Sequence, residues 1–159
     1  MCDFNLSSAL LYHKKMNAQA TIISSVVNDP REYGLVIEEN GIITGFSEKP
    51  SYSACTSELA NTGIYILSKS VMDLIPNDSF CDFAKDIFPQ MLSRKMKLCS
   101  YSEKGYWCDI GDIESYRRCQ YDMLEKKVVC DFFSDASHKA QEPVYFGKNV
   151  TVGNGTEIF

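Results

Sequence analysis

No apolar run in this sequence approaches the roughly 20 residues that a membrane-spanning helix needs. The first residues, Met1-Cys2-Asp3-Phe4, carry neither the basic stretch nor the apolar stretch of a secretory signal. Positive charge is not in excess: 16 Lys and Arg face 21 Asp and Glu, a formal charge of −5. Nucleic acids and anionic membranes attract a basic face, so neither is an expected partner, and only a local phosphate site stays open. Histidine is scarce. His13 and His138 are the only two; they lie far apart without ligand-like neighbours and read as structural residues. The seven cysteines, Cys2, Cys55, Cys81, Cys99, Cys108, Cys119 and Cys130, contain no C-x-x-C pair. An odd, unpaired set matches neither a zinc site nor a disulfide framework. Reduced, mostly buried thiols in a cytoplasmic protein match it better.

The 159 residues are 45% hydrophobic and 23% charged, an ordinary globular balance that supports one domain with its own core. Leu6, Ala9 and Leu10 recur at helical spacing and predict a helix over 4–16, capped by Asn5 or Asp3. The β-branched run over 20–27 predicts a buried strand, ended by Asn28-Asp29-Pro30. A helix followed by a buried strand suggests an α/β layer with a parallel sheet. Strands are expected at 33–37 and 42–46, joined by Glu39-Asn40-Gly41 as a type I′ hairpin turn. A polar loop at 51–58 leads to a strand at 59–67, and Ser68 is expected to cap a short helix through Ile75. Pro89 predicts two helical pieces within 82–96, the second starting near it. Asp82 and Asp86 read as a solvated helix face in preference to a metal pair. Strands are expected at 97–102 and 106–110. Asp112 should cap a helix over 113–126 that buries Tyr116, Cys119 and Met123.

Two places carry candidate chemistry. Phe46-Ser47-Glu48-Lys49-Pro50 sets a carboxylate beside an ammonium at a strand end. Strand geometry points Glu48 and Lys49 to opposite faces, and a bend before Pro50 turns both toward one cleft. An acceptor for sugar hydroxyls beside a cation for phosphate suits a sugar phosphate; the alternative is a solvated Glu-Lys pair. Asp109 follows the only tryptophan, Trp107, at an expected strand end just before Gly111. A carboxylate there can hold a divalent metal on phosphates, or merely cap a turn. From Val144 a six-residue step appears: Val144, Val150 and Thr156, with Phe146-Gly147 and Val152-Gly153. Such a step marks a left-handed parallel β-helix. The expected domains are therefore 1–127, a linker at 128–143, and the first repeats of a truncated β-helix at 144–159.

The stretches Asp3-Phe4-Asn5-Leu6-Ser7 with His13-Lys14, Asp29-Pro30 through Val36, Phe46 through Pro50, Asn61-Thr62-Gly63-Ile64-Tyr65, Asp82 through Asp86, and Gly105 through Gly111 occur together in this order. As a set they resemble the sugar-1-phosphate nucleotidyltransferases, and within them the bacterial mannose-1-phosphate guanylyltransferases in which the transferase precedes a β-helix. The resemblance implies the C-terminal portion of an α/β, Rossmann-like domain with a mixed sheet. It also implies the reaction: a hexose 1-phosphate, mannose 1-phosphate first, attacks the α-phosphate of an NTP to give a nucleotide sugar and pyrophosphate. In that reaction Glu48 accepts sugar hydroxyls and Lys49 meets the sugar phosphate. Gly34 lets backbone approach the sugar, Asn61 and Thr62 line its pocket, and Asp109 holds Mg²⁺. The family's nucleotide-binding N-terminal part has no counterpart here, because no G-x-G loop followed by a lysine is present outside the six-residue repeat. The chain is thus expected to be inactive alone and to expose a sheet edge that promotes self-association. The alternatives are a glucose-1-phosphate nucleotidylyltransferase, a non-catalytic regulatory or assembly domain of the same fold, and a hexapeptide acyltransferase. One coil without a histidine argues against the last.

Overall fold

The β-branched run becomes β1 (Ala20–Val26), whose first six residues are all buried. The computed structural model describes residues 1–51, 57–130, 144–147 and 149–157. Phe4–Lys104 forms one compact unit, and Met1–Asp3 with Gly105–Phe159 forms the other.

In the larger unit, α1 (Leu6–Met16) starts where Asn5 Oδ1 accepts the Ser8 N–H at 3.1 Å. It ends where Lys97 Nζ donates to the Met16 carbonyl at 2.5 Å, a cation at a helix C-terminus. β1 pairs in parallel with β5 (Leu98–Ser102) on one side and antiparallel with β4 (Leu59–Leu67) on the other. β2 (Gly34–Glu39) and β3 (Ile42–Glu48) form the expected hairpin, with Asn40 at φ 53° and Gly41 at φ 79°. The strands close in the order β1-β4-β2-β3-β5. Two joints in that ring are single residue pairs, Leu35 with Ala60 and Ile42 with Cys99. The fold is α/β with a mixed sheet, and the expectation of a parallel sheet is corrected. A two-residue turn can join only antiparallel neighbours, and the sole parallel pair among the described strands is β1–β5, with the intervening chain as its crossover. Closure gives every described strand two neighbours, but through single pairs at two joints, so most of β4 on its β2 side carries no backbone pairing among the described strands.

Ala20, Ile22, Val36, Ile43 and Leu98 project from the strands onto Val71 of α2 (Lys69–Met72) and onto Ile87, Phe88 and Met91. α2 is a single turn. The Ser68 hydroxyl, expected as its cap, donates instead to the Ala18 carbonyl at 3.1 Å. The two helical pieces around Pro89 are a π-helical turn, Phe83–Ile87, and α3 (Phe88–Ser93). Pro89 has no N–H to continue a regular ladder, so the wider turn ahead of it relieves the mismatch. Asp82 Oδ1 accepts the Lys85 N–H at 2.9 Å, and Asp86 Oδ2 accepts the Asp82 N–H at 2.8 Å. The Asp82–Asp86 pair therefore caps this turn reciprocally, a use the reading as a solvated face did not foresee.

In the smaller unit, Met1–Asp3 runs beside Tyr106–Cys108. The Met1 amine donates to the Cys108 carbonyl at 2.8 Å, and the Asp3 N–H donates to Tyr106 at 3.2 Å. Only one bridge forms there, Cys2 with Trp107. The expected strand at 106–110 is corrected to this bridge, because three residues of partner chain are too few for a ladder. Asp112 Oδ1 accepts the Ser115 N–H at 2.6 Å and caps α4 (Ile113–Leu124) as expected. Its buried stripe is narrower than predicted: Cys119 is buried, Met123 half-buried and Tyr116 exposed.

No strand occurs in residues 144–147 or 149–157. Most of the expected linker (131–143, with His138), part of the 51–58 loop (52–56, with Cys55), Lys148, and 158–159 of the six-residue stretch lie outside the described residues. The six described cysteines are free. Cys99, Cys108 and Cys119 are buried, while Cys2, Cys81 and Cys130 are half-buried, so burial is less general than expected. No helix among the described residues is long and apolar enough to cross a membrane.

On the outer face of β1, the buried His13 places Nδ1 2.8 Å from the Thr21 hydroxyl. Burial lowers the His13 pKa below its usual 6.5. The unfolded chain then binds this proton more readily than the folded one, so its contribution is full above pH 6.5 and falls as pH drops below it. The thermal midpoint should decline from pH 7.5 to 5, and the decline should flatten in His13→Gln. An equal slope in both proteins would exclude His13 as a cause.

Candidate functional site

β3 ends on Glu48, and its register partner is Gly34, the first residue of β2. A Cβ at Gly34 would lie 2.8 Å from Glu48 Oε2. The Glu48 carboxylate therefore lies in the space left by the missing side chain. The resemblance implies that sugar approaches this glycine's backbone; among the described residues the group beside it is the Glu48 carboxylate.

The next residue, Lys49, adopts φ 41°. A left-handed backbone costs a non-glycine residue about 1–2 kcal/mol, more so before proline, and such strain gathers at functional sites. It produces the turn expected before Pro50. The Lys49 N–H is held by the Tyr33 carbonyl at 3.2 Å, and Pro50 is buried. The side chains of Glu48 and Lys49 are exposed, and neither has a hydrogen-bond or ion-pair partner among the described residues.

Tyr33 is itself braced from the sequence side. The 3₁₀ turn Pro30–Glu32 is capped by Asp29, whose Oδ1 accepts the Arg31 N–H at 3.1 Å and Nε at 2.7 Å, while Oδ2 meets Nη2. These hydrogen bonds hold the Asp29 carboxyl down at about 2. Sequence reasoning took Asp29-Pro30 as a strand terminator and as part of the resemblance, without foreseeing this ion pair. An Asp-Pro-Arg spacing suited to a bidentate ion pair was the available signal.

Asn61 and Thr62 lie on β4 at a bulge. Ile23 pairs with Ile64 and Ser24 with Asn61, so Thr62 and Gly63 are extra residues. Gly63 takes φ 78°, which suits a residue without Cβ. Asn61 Oδ1 accepts the Gly63 N–H at 3.0 Å, and the Thr62 hydroxyl donates to the Ile23 carbonyl at 2.6 Å. Both side chains are thus engaged in building the bulge. The Leu35–Ala60 pair brings this end of β4 beside β2, so Gly34, Glu48, Lys49 and Asn61 gather around the start of β2.

Asp109 belongs to the other unit. It is exposed, follows the buried Cys108, and has no side-chain partner among the described residues. Arg118 Nη2 reaches Cys108 Sγ at 3.7 Å. The Tyr106 hydroxyl donates to Asp122 Oδ2 at 2.7 Å, and Lys127 Nζ donates to Oδ1 at 2.9 Å. These contacts tie the segment before Asp109 to α4 and were not foreseen, since they join residues over a turn of unknown length. No group of three or more His, Cys, Asp and Glu suited to a metal occurs among the described residues.

Residues 1–126 match the family model of the nucleotidyl transferases. Over 163 residues the chain is 35% identical to a mannose-1-phosphate guanyltransferase of Yarrowia lipolytica, covering 99% of this chain and 42% of that protein. Over 126 residues it is 40% identical to a glucose-1-phosphate adenylyltransferase of Halalkalibacterium halodurans, covering 72% of this chain and 32% of that protein. Among solved structures, a UDP-glucose pyrophosphorylase from Acinetobacter baumanii superposes with a TM-score of 0.62 at 25% identity, covering 76% of this chain and 45% of that one. The chain belongs to the nucleotidyl transferase family. It spans less than half the length of these relatives.

Gly34→Ala should cost less than the roughly 1–3 kcal/mol of an overpacked core, because the group it meets is the flexible end of Glu48. The carboxylate should swing away. A nearly unchanged thermal midpoint with a shifted Glu48 carboxyl carbon resonance would show both effects; an unmoved resonance would show that the glycine does not make room for it.

Proposed function

We propose that this chain carries the sugar-phosphate side of a sugar nucleotidyltransferase. In the proposed reaction a hexose 1-phosphate, mannose 1-phosphate first, attacks the α-phosphate of an NTP and releases pyrophosphate. The observation that carries this reading is the strand end at 48–49. A carboxylate lodged over Gly34 stands beside an ammonium on a strained backbone, and neither is neutralised by a described residue. Glu48 would accept sugar hydroxyls and Lys49 would pair with the phosphate, a charge-assisted contact. Asn61 would face the sugar with its amide nitrogen, since its oxygen already holds Gly63. Thr62 and Gly34 would act through the backbone shape they permit.

Asp109 fits Mg²⁺ as one ligand only. A single exposed carboxylate completed by water and phosphate oxygens is a coordination that Mg²⁺ accepts. Bound there, the ion would offset charge on crowded phosphates. The six-residue step from Val144 is read as the first coil of a left-handed β-helix. The exposure of Val150 and Val152 agrees with this, because one coil cannot bury its own apolar positions. Free thiols throughout the described chain favour a reducing, cytoplasmic compartment. A second reading, glucose 1-phosphate as the sugar substrate, draws on the 40% identity to an adenylyltransferase named for that sugar.

The chain alone should release no pyrophosphate from GTP and mannose 1-phosphate, because no Gly-rich triphosphate loop is present in it. It should bind mannose 1-phosphate, and Lys49→Ala should weaken that binding about ten- to hundredfold, the equivalent of roughly 1.5–3 kcal/mol for a charged hydrogen bond. NMR titration of both proteins measures this. Equal affinities would remove Lys49 from the site, and a preference for glucose 1-phosphate would favour the second reading.

A further inference from the structure

We propose that Asp3 is a positioning residue for Asp109: its carboxylate ties the segment that leads into Asp109 to the chain that leaves α4. The proposal rests on the reading of Asp109 as the Mg²⁺ residue given above. All the groups involved lie in the smaller unit. Asp109 is exposed and has no side-chain partner among the described residues, so the backbone on either side of it sets its place. On the C-terminal side, Ile110 and Gly111 alone separate it from Asp112, which is fixed as the cap of α4 by the Ser115 N–H at 2.6 Å. On the N-terminal side, Cys108 exchanges two backbone bonds with Met1: the Met1 amine donates to the Cys108 carbonyl at 2.8 Å, and the Cys108 N–H donates to the Met1 carbonyl at 2.9 Å.

The next pairing along this segment is only half main chain. The Asp3 N–H donates to the Tyr106 carbonyl at 3.2 Å, whereas the Tyr106 N–H donates to Asp3 Oδ1 at 2.7 Å. The side chain thus supplies the second bond, which a regular antiparallel pair draws from the opposite carbonyl. The other oxygen, Oδ2, accepts the Val129 N–H at 2.9 Å. Val129 lies past the end of α4 at Leu124. One carboxylate therefore closes a circuit that runs from Tyr106 through Asp109 to Asp112, along α4, and back by way of Val129. The Tyr106 hydroxyl ties the same segment to the middle of that circuit, donating to Asp122 Oδ2 at 2.7 Å. The circuit calls for a carboxylate. Both oxygens accept, and each bond is charge-assisted. An asparagine in the same place offers one oxygen and one donor group, so it can hold Tyr106 or Val129 but not both.

The test uses the isotope-labelled full chain, with Mn²⁺ alone as the probe. In the parent, Mn²⁺ should broaden the amide signals of Ile110 and Gly111, and Asp109→Asn should abolish that broadening. Asp3→Asn keeps the size of the residue and removes one acceptor. The expected result is about tenfold faster hydrogen exchange at the Tyr106 or the Val129 amide, with the α4 amides exchanging as in the parent. The Ile110 and Gly111 resonances should be displaced before metal is added, and their Mn²⁺ broadening should fall to about a third or less at the same Mn²⁺ concentration. Asp3→Ala frees both N–H groups and should enlarge each effect. Val129→Pro removes only the second donor and should still displace Ile110 and Gly111 from beyond the far end of α4. Unmoved Ile110 and Gly111 signals in Asp3→Asn and Asp3→Ala would overturn the positioning role and leave Asp109 as the metal residue. Loss of exchange protection throughout α4 would make Asp3 a structural residue only and would overturn it equally. Broadening that survives Asp109→Asn would remove the metal reading itself, and the positioning role with it.

Discussion

The larger unit depends on one buried ring touching two strands, β3 and β4, that are not neighbours in the sheet. Phe88 contacts Phe46 and Tyr65, while β2, between those strands in the sheet, pairs with β3 along its length and with β4 at Leu35–Ala60 alone. Everything near it is adapted to that demand. Phe88 opens α3 with Pro89 in its first turn, the π-helical turn leads into it, and Asp82 with Asp86 secures the start of that turn. The strands contribute small or branched apolar residues around it, such as Ala20, Ile22 and Val36, so that a large ring fits without a void.

Local features were legible in the sequence because their causes are local. β1 follows from a β-branched run, the hairpin from Asn40-Gly41, the two helical pieces from Pro89, and the α4 cap from Asp112. The closure of the strands was not legible. It depends on pairs such as Leu35 with Ala60 and Ile42 with Cys99, which no periodicity announces. The strand expected at 106–110 fell short for the same reason, since a strand is defined by its partner and only Met1–Asp3 serves as one. At the site, the adjacent Glu48 and Lys49 stood out as a charged pair, and Asp109 by its place beside Trp107. The contact of Gly34 with Glu48 could not be read, because it joins two strand ends that only the register brings together.

The candidate residues divide by what holds them. Glu48 and Lys49 are fixed by backbone, through register with Gly34 and the Tyr33 carbonyl, so among the described residues their heads meet no side-chain partner. Asn61 and Thr62 are fixed by their own polar atoms, which the bulge uses. A site built this way can present charge without paired counter-charges, because rigidity comes from the main chain. The family assignment agrees with such an arrangement, while the choice among hexose phosphates would turn on a few contacts around Asn61.

β1 carries a further consequence, one of timing. Its parallel neighbour β5 arrives late: Ser24 and Ser100, joined across this pair by their hydroxyls at 2.8 Å, are 76 residues apart in sequence. The β2–β3 hairpin closes across two residues and can form early. A nascent chain therefore emerges with a hydrophobic strand that has β4 on one side and nothing yet on the other. Until β5 is made, that side is a template for any passing strand. The barrel that closes once β5 is made is at its most adhesive before then, and the yield of folded protein should respond to translation speed more than to final stability.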